Sequence, residues 1–149
     1  MLLRLLGMLA FALCLWGADP FIGAWKLNVE KSKFDPGPPP RSGTVTYEPQ
    51  GEGLKLTLDA IDAEGKRQSY QYTAYFDGKD YPVIGSPVND TVALRRIDPY
   101  TIEFISKKDG RVVRAAKAVL LSGALSYRYI AKGKLKGQPF EIIAVYEKQ

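Results

Sequence analysis

Histidine is absent from all 149 residues, and the single cysteine, Cys14, lies near the N-terminus. The usual Ser–His and Cys–His catalytic pairs and most zinc sites therefore cannot be built from residues 19–149. No disulfide can form within that part of the chain either. Its stability must come from the hydrogen bonds of a sheet and from burial of a core.

A helical period and a basic stripe are missing as well. No segment keeps a helical spacing of apolar residues over three turns; the nearest, Ala115 to Leu121, has β-branched flanks that favour a strand. The formal net charge is +5, but Lys and Arg alternate with Glu and Asp along most segments. A continuous basic stripe is what binding to phosphate backbones would favour, so we expect no nucleic-acid partner.

Charge is also absent from residues 5–16, an apolar run that follows Arg4. This pattern is typical of a signal peptide and predicts residues 1–18 as the signal and 19–149 as one domain. The run is too short to cross comfortably a hydrocarbon core of about 30 Å as a helix, so we expect no stable membrane span after its removal. The predicted location is exported, either periplasmic or extracellular.

The processing of this segment has alternatives. Cleavage after Gly17 or Ala18 is the favoured prediction, but a bulky residue stands two positions before either cut. An uncleaved anchor is therefore the alternative. Lipidation at Cys14 is disfavoured because Leu13 stands where lipid-attachment signals have a small residue.

What remains is a regular alternation of short strands and turns. Turn signals such as Asp77-Gly78 and Asp109-Gly110 separate runs of period two, and connections this short make consecutive strands antiparallel neighbours. We therefore predict an all-β fold, a single up-and-down antiparallel barrel of about 8–10 strands. The predicted strands are one within Asp19–Asn28 and then Thr44–Glu48, Leu54–Ala60, Arg67–Tyr75, Asp80–Ile84, Thr91–Ile97, Thr101–Ser106, Arg111–Val119, Leu125–Ala131 and Phe140–Lys148.

The first strand and the segment after it differ in kind. Alternation places Phe21, Trp25 and Leu27 on one face, which predicts Trp25 as the plug of the core. The next segment, Val29–Ser42, contains Pro36 and a run of three further prolines. We expect it to be neither helix nor central strand, and to lie on the surface or over one end of the barrel. A ligand for a proline-recognition domain is the alternative interpretation of this run.

Alternation also predicts which side chains of the later strands point inward. Arg114 shares this parity, as does Arg96 at the end of its strand. Charges inside a barrel are costly unless paired or solvated, so they indicate a wet cavity or a bound anion. The alternative is that a strand end or a bulge turns them out to water. The apolar groups predicted inward are Leu54 with Leu56, Leu58 and Ala60; Val92 with Leu94; Ile102 with Phe104; Val112 with Ala116; Leu125 with Tyr127 and Tyr129; and Phe140 with Ile142, Ala144 and Tyr146.

Three features together resemble a known superfamily. They are Gly23-Ala24-Trp25 in the first strand, about ten meandering strands, and the ending Ala144-Val145-Tyr146-Glu147-Lys148. The chain resembles the calycins, which include the lipocalins and the intracellular fatty-acid-binding proteins. More narrowly it is similar to small exported lipocalin-like proteins of bacteria.

This resemblance implies a barrel with an interior pocket for a small apolar or amphipathic ligand, closed at the bottom by Trp25. The chain departs from fatty-acid-binding proteins where their helix pair covers the cavity, because the proline-rich segment stands there. It also departs in the last strand, where an Arg-x-Tyr motif holds a carboxylate: Tyr146 matches the Tyr, but Ala144 replaces the Arg. Arg114 or Arg96 could substitute from another strand.

The tyrosines have two interpretations. They suit the packing of a sheet, or they could line a pocket and give directional hydrogen bonds to a ligand. A Tyr–Arg acid–base pair would allow catalysis, as in lipocalin-fold decarboxylases, but no fixed spacing marks one and we expect no enzyme. No cofactor or metal is expected, since the acids near Asp62 fit a solvated turn. The predicted ligand-binding side chains are Trp25, Tyr72, Arg96, Phe104, Arg114, Tyr127 and Tyr146.

Two function classes follow for what we expect to be a monomer. The first is an exported barrel that binds or carries a small hydrophobic ligand in its interior. The second is a structural or protein-interaction module of the cell envelope, with a packed and ligand-free barrel. The volume and lining of the interior distinguish them.

Overall fold

The computed structural model describes residues 19–149, and these form a single ten-stranded sheet with no helix among them. The spatial order of the strands is β4-β3-β2-β1-β10-β9-β8-β7-β6-β5, and every pairing is antiparallel. The strands are β1 (Gly23–Asp35), β2 (Ser42–Gln50), β3 (Gly53–Ile61), β4 (Arg67–Ala74), β5 (Tyr81–Pro82), β6 (Thr91–Asp98), β7 (Thr101–Lys108), β8 (Arg111–Leu120), β9 (Ser126–Leu135) and β10 (Gln138–Lys148).

The sheet curls into a nearly closed barrel. The first and last strands pair, with Trp25 opposite Lys148, so the two ends of the meander lie side by side. The two edge strands of the sheet are β4 and β5. They are joined by a bridge between Gln71 of β4 and Ile84, just after β5. This architecture confirms the predicted all-β, up-and-down antiparallel barrel.

Alternation predicted most of the inward face correctly. Val92, Leu94, Ile102 and Phe104 are buried, and they pack with the buried aromatic side chains of the opposite strands around one core. Burial of this apolar surface is worth about 25 cal/mol per Å², and it holds together a domain that no disulfide links. The same core leaves an interior space, described below.

The first strand is longer than predicted. It continues to Asp35, so the first half of Val29–Ser42 is strand and the prediction for that half is wrong. Its pairing with β10 shifts register between Asn28 and Lys33, and the Ser32 hydroxyl repairs the gap. That hydroxyl donates to the Asn28 carbonyl at 2.6 Å and accepts from the Val145 amide at 2.9 Å. The prolines begin only after the strand ends.

The fifth strand is shorter than predicted. It covers two residues, Tyr81 and Pro82, in place of Asp80–Ile84. Pro82 has no backbone N–H to give to a ladder, which limits the pairing a strand can make there. Beyond it the Val83 amide donates to the Asp90 carbonyl at 2.9 Å, so the chain folds into a loop.

Two side chains predicted inward lie outside. Val112 is 59% exposed because β8 carries an extra residue there: Ser106 pairs with Arg114 and Lys107 with Val112, which leaves Val113 unpaired. Such a bulge reverses the alternation on one side of it. Leu125 is 70% exposed because it belongs to the turn before β9, where alternation does not apply.

Candidate functional site

The end of the barrel where β1 begins, the closed end, is filled by aromatic side chains. Trp25 is fully buried, and its indole Nε1 donates to the Phe21 carbonyl at 2.9 Å. Its ring meets that of Tyr127 edge-on, with the centroids 4.9 Å apart, and Tyr127 stacks on Tyr146 at 5.0 Å. Trp25 therefore forms the buried floor of the barrel, as the sequence predicted. It lies behind Tyr127 and does not line the chamber, so its prediction as a ligand-contacting residue is not supported.

Arg96 lies at this closed end and does not line the cavity for which the sequence made it a candidate. Its guanidinium stacks over Phe76, 4.4 Å from the ring centroid, lies 5.5 Å from that of Phe21, and forms an ion pair with Asp19. Arg96 therefore stabilises the packing at the closed end. Arg128 in β9 is exposed. The cation nearest the Trp25 ring among the described residues is the Lys148 ammonium, 5.5 Å from the ring centroid.

Above the floor is an inner chamber of about 200 Å³. Five of the predicted site residues contribute to its wall: Tyr72, Phe104, Arg114, Tyr127 and Tyr146. The wall is mostly apolar and aromatic, with a few polar groups, which is the usual composition of a small-molecule site. Other residues of the wall include Leu27, Tyr47, Leu56, Tyr70, Ser106, Tyr129, Ile142 and Ala144.

A second space, the outer chamber, of about 310 Å³, lies toward the opposite, open end. The two chambers share four lining residues, Phe34, Asn89, Arg114 and Ile142, which lie at the boundary between them, here called the neck. The two spaces are therefore neighbours inside the barrel. The outer chamber is bounded further by Pro36, Val88, Val113, Leu135, Pro139 and Phe140.

Arg114 reaches the neck because it keeps the regular alternation of the buried Ala116 and Ala118 in β8. The bulge at Val113 interrupts this alternation only beyond Arg114, at Val112. Opposite Arg114 in β9 lies Gly133, where the strands approach so closely that a Cβ would come within 2.0 Å of the Val113 carbonyl oxygen. Only glycine fits there, so the approach of the two strands beside Arg114 depends on Gly133.

The Arg114 guanidinium is charged and incompletely paired. Nη2 donates to the Ser106 hydroxyl at 3.3 Å, whereas Nε is buried with no hydrogen-bond partner among residues 19–149. The neighbouring Tyr129 phenol raises the pKa of Arg114, which outweighs the opposing effect of burial, with smaller contributions from Tyr70 and Tyr72. A buried cationic donor without a partner is the feature of this interior that most needs a ligand.

The phenols of the chamber stay neutral. Burial raises the pKa of Tyr47, Tyr72, Tyr127, Tyr129 and Tyr146 above the ordinary value, and for Tyr129 the Arg114 charge partly opposes this. The hydroxyls of Tyr47 and Tyr127 bond to each other at 3.3 Å. Neutral phenols can both donate to and accept from a bound molecule.

Sequence reasoning missed two polar residues of the cavity. Ser106 is buried and has the same parity as Ile102 and Phe104, so extending the alternation by one step would have found it. Asn89 is also buried, and its Nδ2 donates to the Thr91 carbonyl at 3.3 Å. It lies in a loop, where the sequence gives only a turn signal and no direction for the side chain.

Comparison with known proteins gives matches at the level of structure only. No protein-family model and no curated protein sequence matches the chain. Zebrafish ileal bile acid-binding protein complexed with cholic acid matches with a TM-score of 0.53 and 8% identity, over 87% of this chain and 99% of that one. EF1p2_mFAP2b bound to DFHBI matches with a TM-score of 0.51 and 10% identity, over 89% and 96%.

A third structure, the siderocalin Ex-FABP, matches with a TM-score of 0.35 and 11% identity, over 87% of this chain and 74% of that one. Within residues 19–149 no helix is long and apolar enough to cross a membrane. The first two neighbours share the overall fold of this chain, at TM-scores of 0.51 and 0.53. The chain thus has the calycin fold, the barrel of the lipocalins and fatty-acid-binding proteins.

Proposed function

We propose that this protein is an exported carrier of a small amphipathic molecule with an acidic group, held inside the barrel. The observation that carries the proposal is the partly unpaired Arg114 guanidinium at the neck of an otherwise apolar cavity. The alternative function, a packed and ligand-free envelope module, is disfavoured by the two neighbouring chambers inside the barrel.

The chemistry of the wall supports an acidic amphipath. A carboxylate, sulfonate or phenolate at the neck would accept from Arg114 Nε and would gain a charge-assisted hydrogen bond away from bulk water. The apolar remainder would lie against Leu56, Phe104 and Ile142, and the chamber phenols would bind any hydroxyl groups it carries. Arg114 in β8 would thus bind the acidic group that Ala144, at the position of the motif arginine in β10, cannot bind.

Two neighbours of like fold were solved with a small organic molecule bound. One was solved with cholic acid and another with DFHBI. Identities of 8% and 10% carry over the fold and not the ligand, so these molecules indicate the size and kind of compound to test first.

Two fluorescent probes of similar shape and different charge test the proposal. Anilinonaphthalene sulfonate is anionic and phenylnaphthylamine is neutral. We expect both to brighten in the presence of the protein, and we expect Arg114→Leu to weaken the sulfonate about tenfold or more while leaving the neutral probe nearly unchanged. Arg114→Lys keeps a positive charge and should recover part of the sulfonate affinity.

Controls separate the cavity from the surface. Lys117→Leu removes an exposed cation from the same strand and should change neither affinity. Ala144→Phe fills the chamber and should abolish binding of both probes. If neither probe binds the wild-type protein, or if Ala144→Phe binds both unchanged, the barrel is not a carrier.

The exported location rests on the apolar run at the N-terminus and on the contacts of Asp19. The Asp19 carboxylate accepts from the Phe21 amide at 3.0 Å and pairs with Arg96, so the barrel makes use of the first residue after the predicted signal. Cell fractionation with N-terminal sequencing tests this. A mature chain that starts at Ala18 or Asp19 outside the cytoplasm is the expected result, and a cytoplasmic protein would contradict it.

A further inference from the structure

The excess positive charge of the barrel is concentrated in two turns. Of the 21 Lys and Arg residues only Arg4 lies before residue 19, while all 16 Asp and Glu lie at or after residue 19. The turn from Lys107 to Arg111 and the turn from Lys134 to Lys136 together hold five basic residues and one acid. Lys107 forms an ion pair with Asp80 at 2.9 Å, and the Asp90 carboxylate accepts from the Asp109 amide at 3.0 Å. The basic residues of the two turns that form no ion pair within residues 19–149 are Lys108, Arg111, Lys134 and Lys136.

These two turns lie together at the open end. They connect β7 with β8 and β9 with β10, four strands that are consecutive in the sheet, so both turns project from the same end of the same wall. Lys134 and Leu135 border the outer chamber directly. The connection between β3 and β4 and the first residue of β4, on the opposite side of the rim, hold Asp62 and Glu64 together with Lys66 and Arg67 and so have no net charge. The excess positive charge therefore lies on one side of the rim.

Each turn also exposes an apolar side chain beside its basic residues. Val112 is 59% exposed and Leu135 is 46% exposed, and Ile143 on the outer face of β10 is 42% exposed. Water-exposed apolar groups flanked by Lys and Arg are the composition of segments that lie in the interface of a bilayer, where apolar groups enter the lipid and cations meet the headgroups.

We propose that these two turns, named here the basic rim, dock the barrel on a bilayer that contains anionic phospholipid. In that orientation the outer chamber opens toward the lipid, which gives an amphipathic ligand a path between bilayer and cavity that avoids bulk water. An acidic protein could match the charge, but the exposed Val112 and Leu135, each in a strand beside a separate turn, favour a fluid apolar layer. Docking does not depend on the proposed ligand, because it uses residues outside the inner chamber.

Vesicle sedimentation tests the proposal with the protein isolated from cells that express the whole chain. Vesicles of phosphatidylcholine alone are compared with vesicles of equal parts phosphatidylcholine and phosphatidylglycerol. We expect stronger binding to the anionic vesicles, weakened by added salt. The double variant Lys108→Glu with Lys136→Glu should lose about tenfold or more of that preference.

A matched variant keeps the overall charge change and moves it elsewhere. Lys117→Glu with Arg128→Glu reverses two exposed charges on the barrel wall and should keep most of the preference for anionic vesicles. All variants share one N-terminus, so its contribution cancels. Equal binding to both vesicle types, or equal losses in the two double variants, would overturn the proposal.

Leu135→Trp reports the orientation. The introduced indole should shift its fluorescence to shorter wavelength on anionic vesicles, whereas an unshifted indole on vesicle-bound protein would also overturn the proposal. The probe titrations described above are made without vesicles. A failure of docking therefore leaves the carrier function standing, and a failure of the carrier function leaves docking measurable.

Discussion

The closed and open ends of this barrel use the same kinds of residue for opposite purposes. At the closed end Arg96 lies against aromatic rings and has Asp19 as its ionic partner, next to a fully buried Trp25. At the neck toward the open end Arg114 Nη2 donates to the Ser106 hydroxyl at 3.3 Å, and its buried Nε has no hydrogen-bond partner in the part of the chain that the structure describes. The charge of Arg96 is paired within the fold, whereas Arg114 keeps a hydrogen-bond donor for the proposed ligand.

This difference shows how a barrel can be stable and still hold a binding site. Burial of apolar surface at the closed end stabilises the fold, while a desolvated cation at the neck costs stability in the absence of a ligand. Such costs are typical of functional sites, where activity and stability compete. Four perturbations measure how far the two ends differ.

The largest effect is expected from Trp25→Ala. Loss of a fully buried indole, its edge contact with Tyr127 and its hydrogen bond to the Phe21 carbonyl should lower the free energy of unfolding by about 3–5 kcal/mol. Urea denaturation followed by circular dichroism measures it. The comparison is Phe140→Ala, which removes a half-buried ring at the open end and should lower the free energy of unfolding clearly less. Equal losses would mean that the two ends stabilise the fold alike.

Alkaline pH should have the next largest effect. Burial holds the pKa of Tyr47 and Tyr127 above the ordinary value of about 10, at which the same phenols ionise in the unfolded chain. Stability should therefore be unaffected by these groups below about pH 10 and fall above it by about 1.4 kcal/mol per pH unit for each phenol.

Urea denaturation at several alkaline pH values measures this slope. The variant Tyr47→Phe with Tyr127→Phe removes both partners of the hydroxyl–hydroxyl bond and should reduce the slope by the share of these two phenols, with little cost at neutral pH. The remaining slope comes from Tyr72, Tyr129 and Tyr146, whose pKa values burial also raises. A wild-type protein whose stability does not change across this range would contradict the assignment.

Replacing Arg96 by alanine should cost about 1–3 kcal/mol. The change leaves Asp19 without its partner and removes the guanidinium from the Phe76 and Phe21 rings, while partial exposure of the ion pair limits the loss. Arg128→Ala, at an exposed position, is the control and should cost little. Thermal or urea denaturation distinguishes the two variants. Equal losses of stability would show that Arg96 does not stabilise the closed end.

Arg114→Leu should have the smallest effect and the opposite sign. Removing a buried guanidinium whose Nε lacks a partner should leave stability unchanged or raise it by about 1 kcal/mol in ligand-free protein. The same urea measurement shows it. A marked loss of stability would mean that Arg114 supports the barrel, as Arg96 does, and that the contrast between the ends is false.

The strand pattern could be read from the sequence wherever period two was unbroken. It predicted the burial of Leu94, Ile102 and Phe104 because each strand there is regular and one face is buried. The pattern failed at Val112 because of the bulge in β8. A bulge is defined by how two strands pair, so the sequence of one strand alone does not show it. The extension of β1 to Asp35 was missed for the same reason, since the β10 partner accommodates the irregularity through Ser32.

The site itself was only partly predictable. Parity placed Arg114 inside, but the same parity made Arg96 an equal candidate, and no local signal separates them. What separates them is which end of the barrel each occupies, together with Asp19, Phe76 and the neck residues contributed by distant parts of the chain. Those neighbours are set by closure of the sheet, which a pattern within one strand does not contain.

The pairing of β1 with β10 also has a kinetic consequence. Nearly all other ladders join neighbours in the sequence, so their hairpins can form early from local contacts, whereas Trp25 finds Lys148 only across almost the whole chain. Closing so long a loop is entropically costly and slows folding. The seam between the first and last strands should therefore form late, which makes the completed tryptophan floor a marker of the final step in assembly.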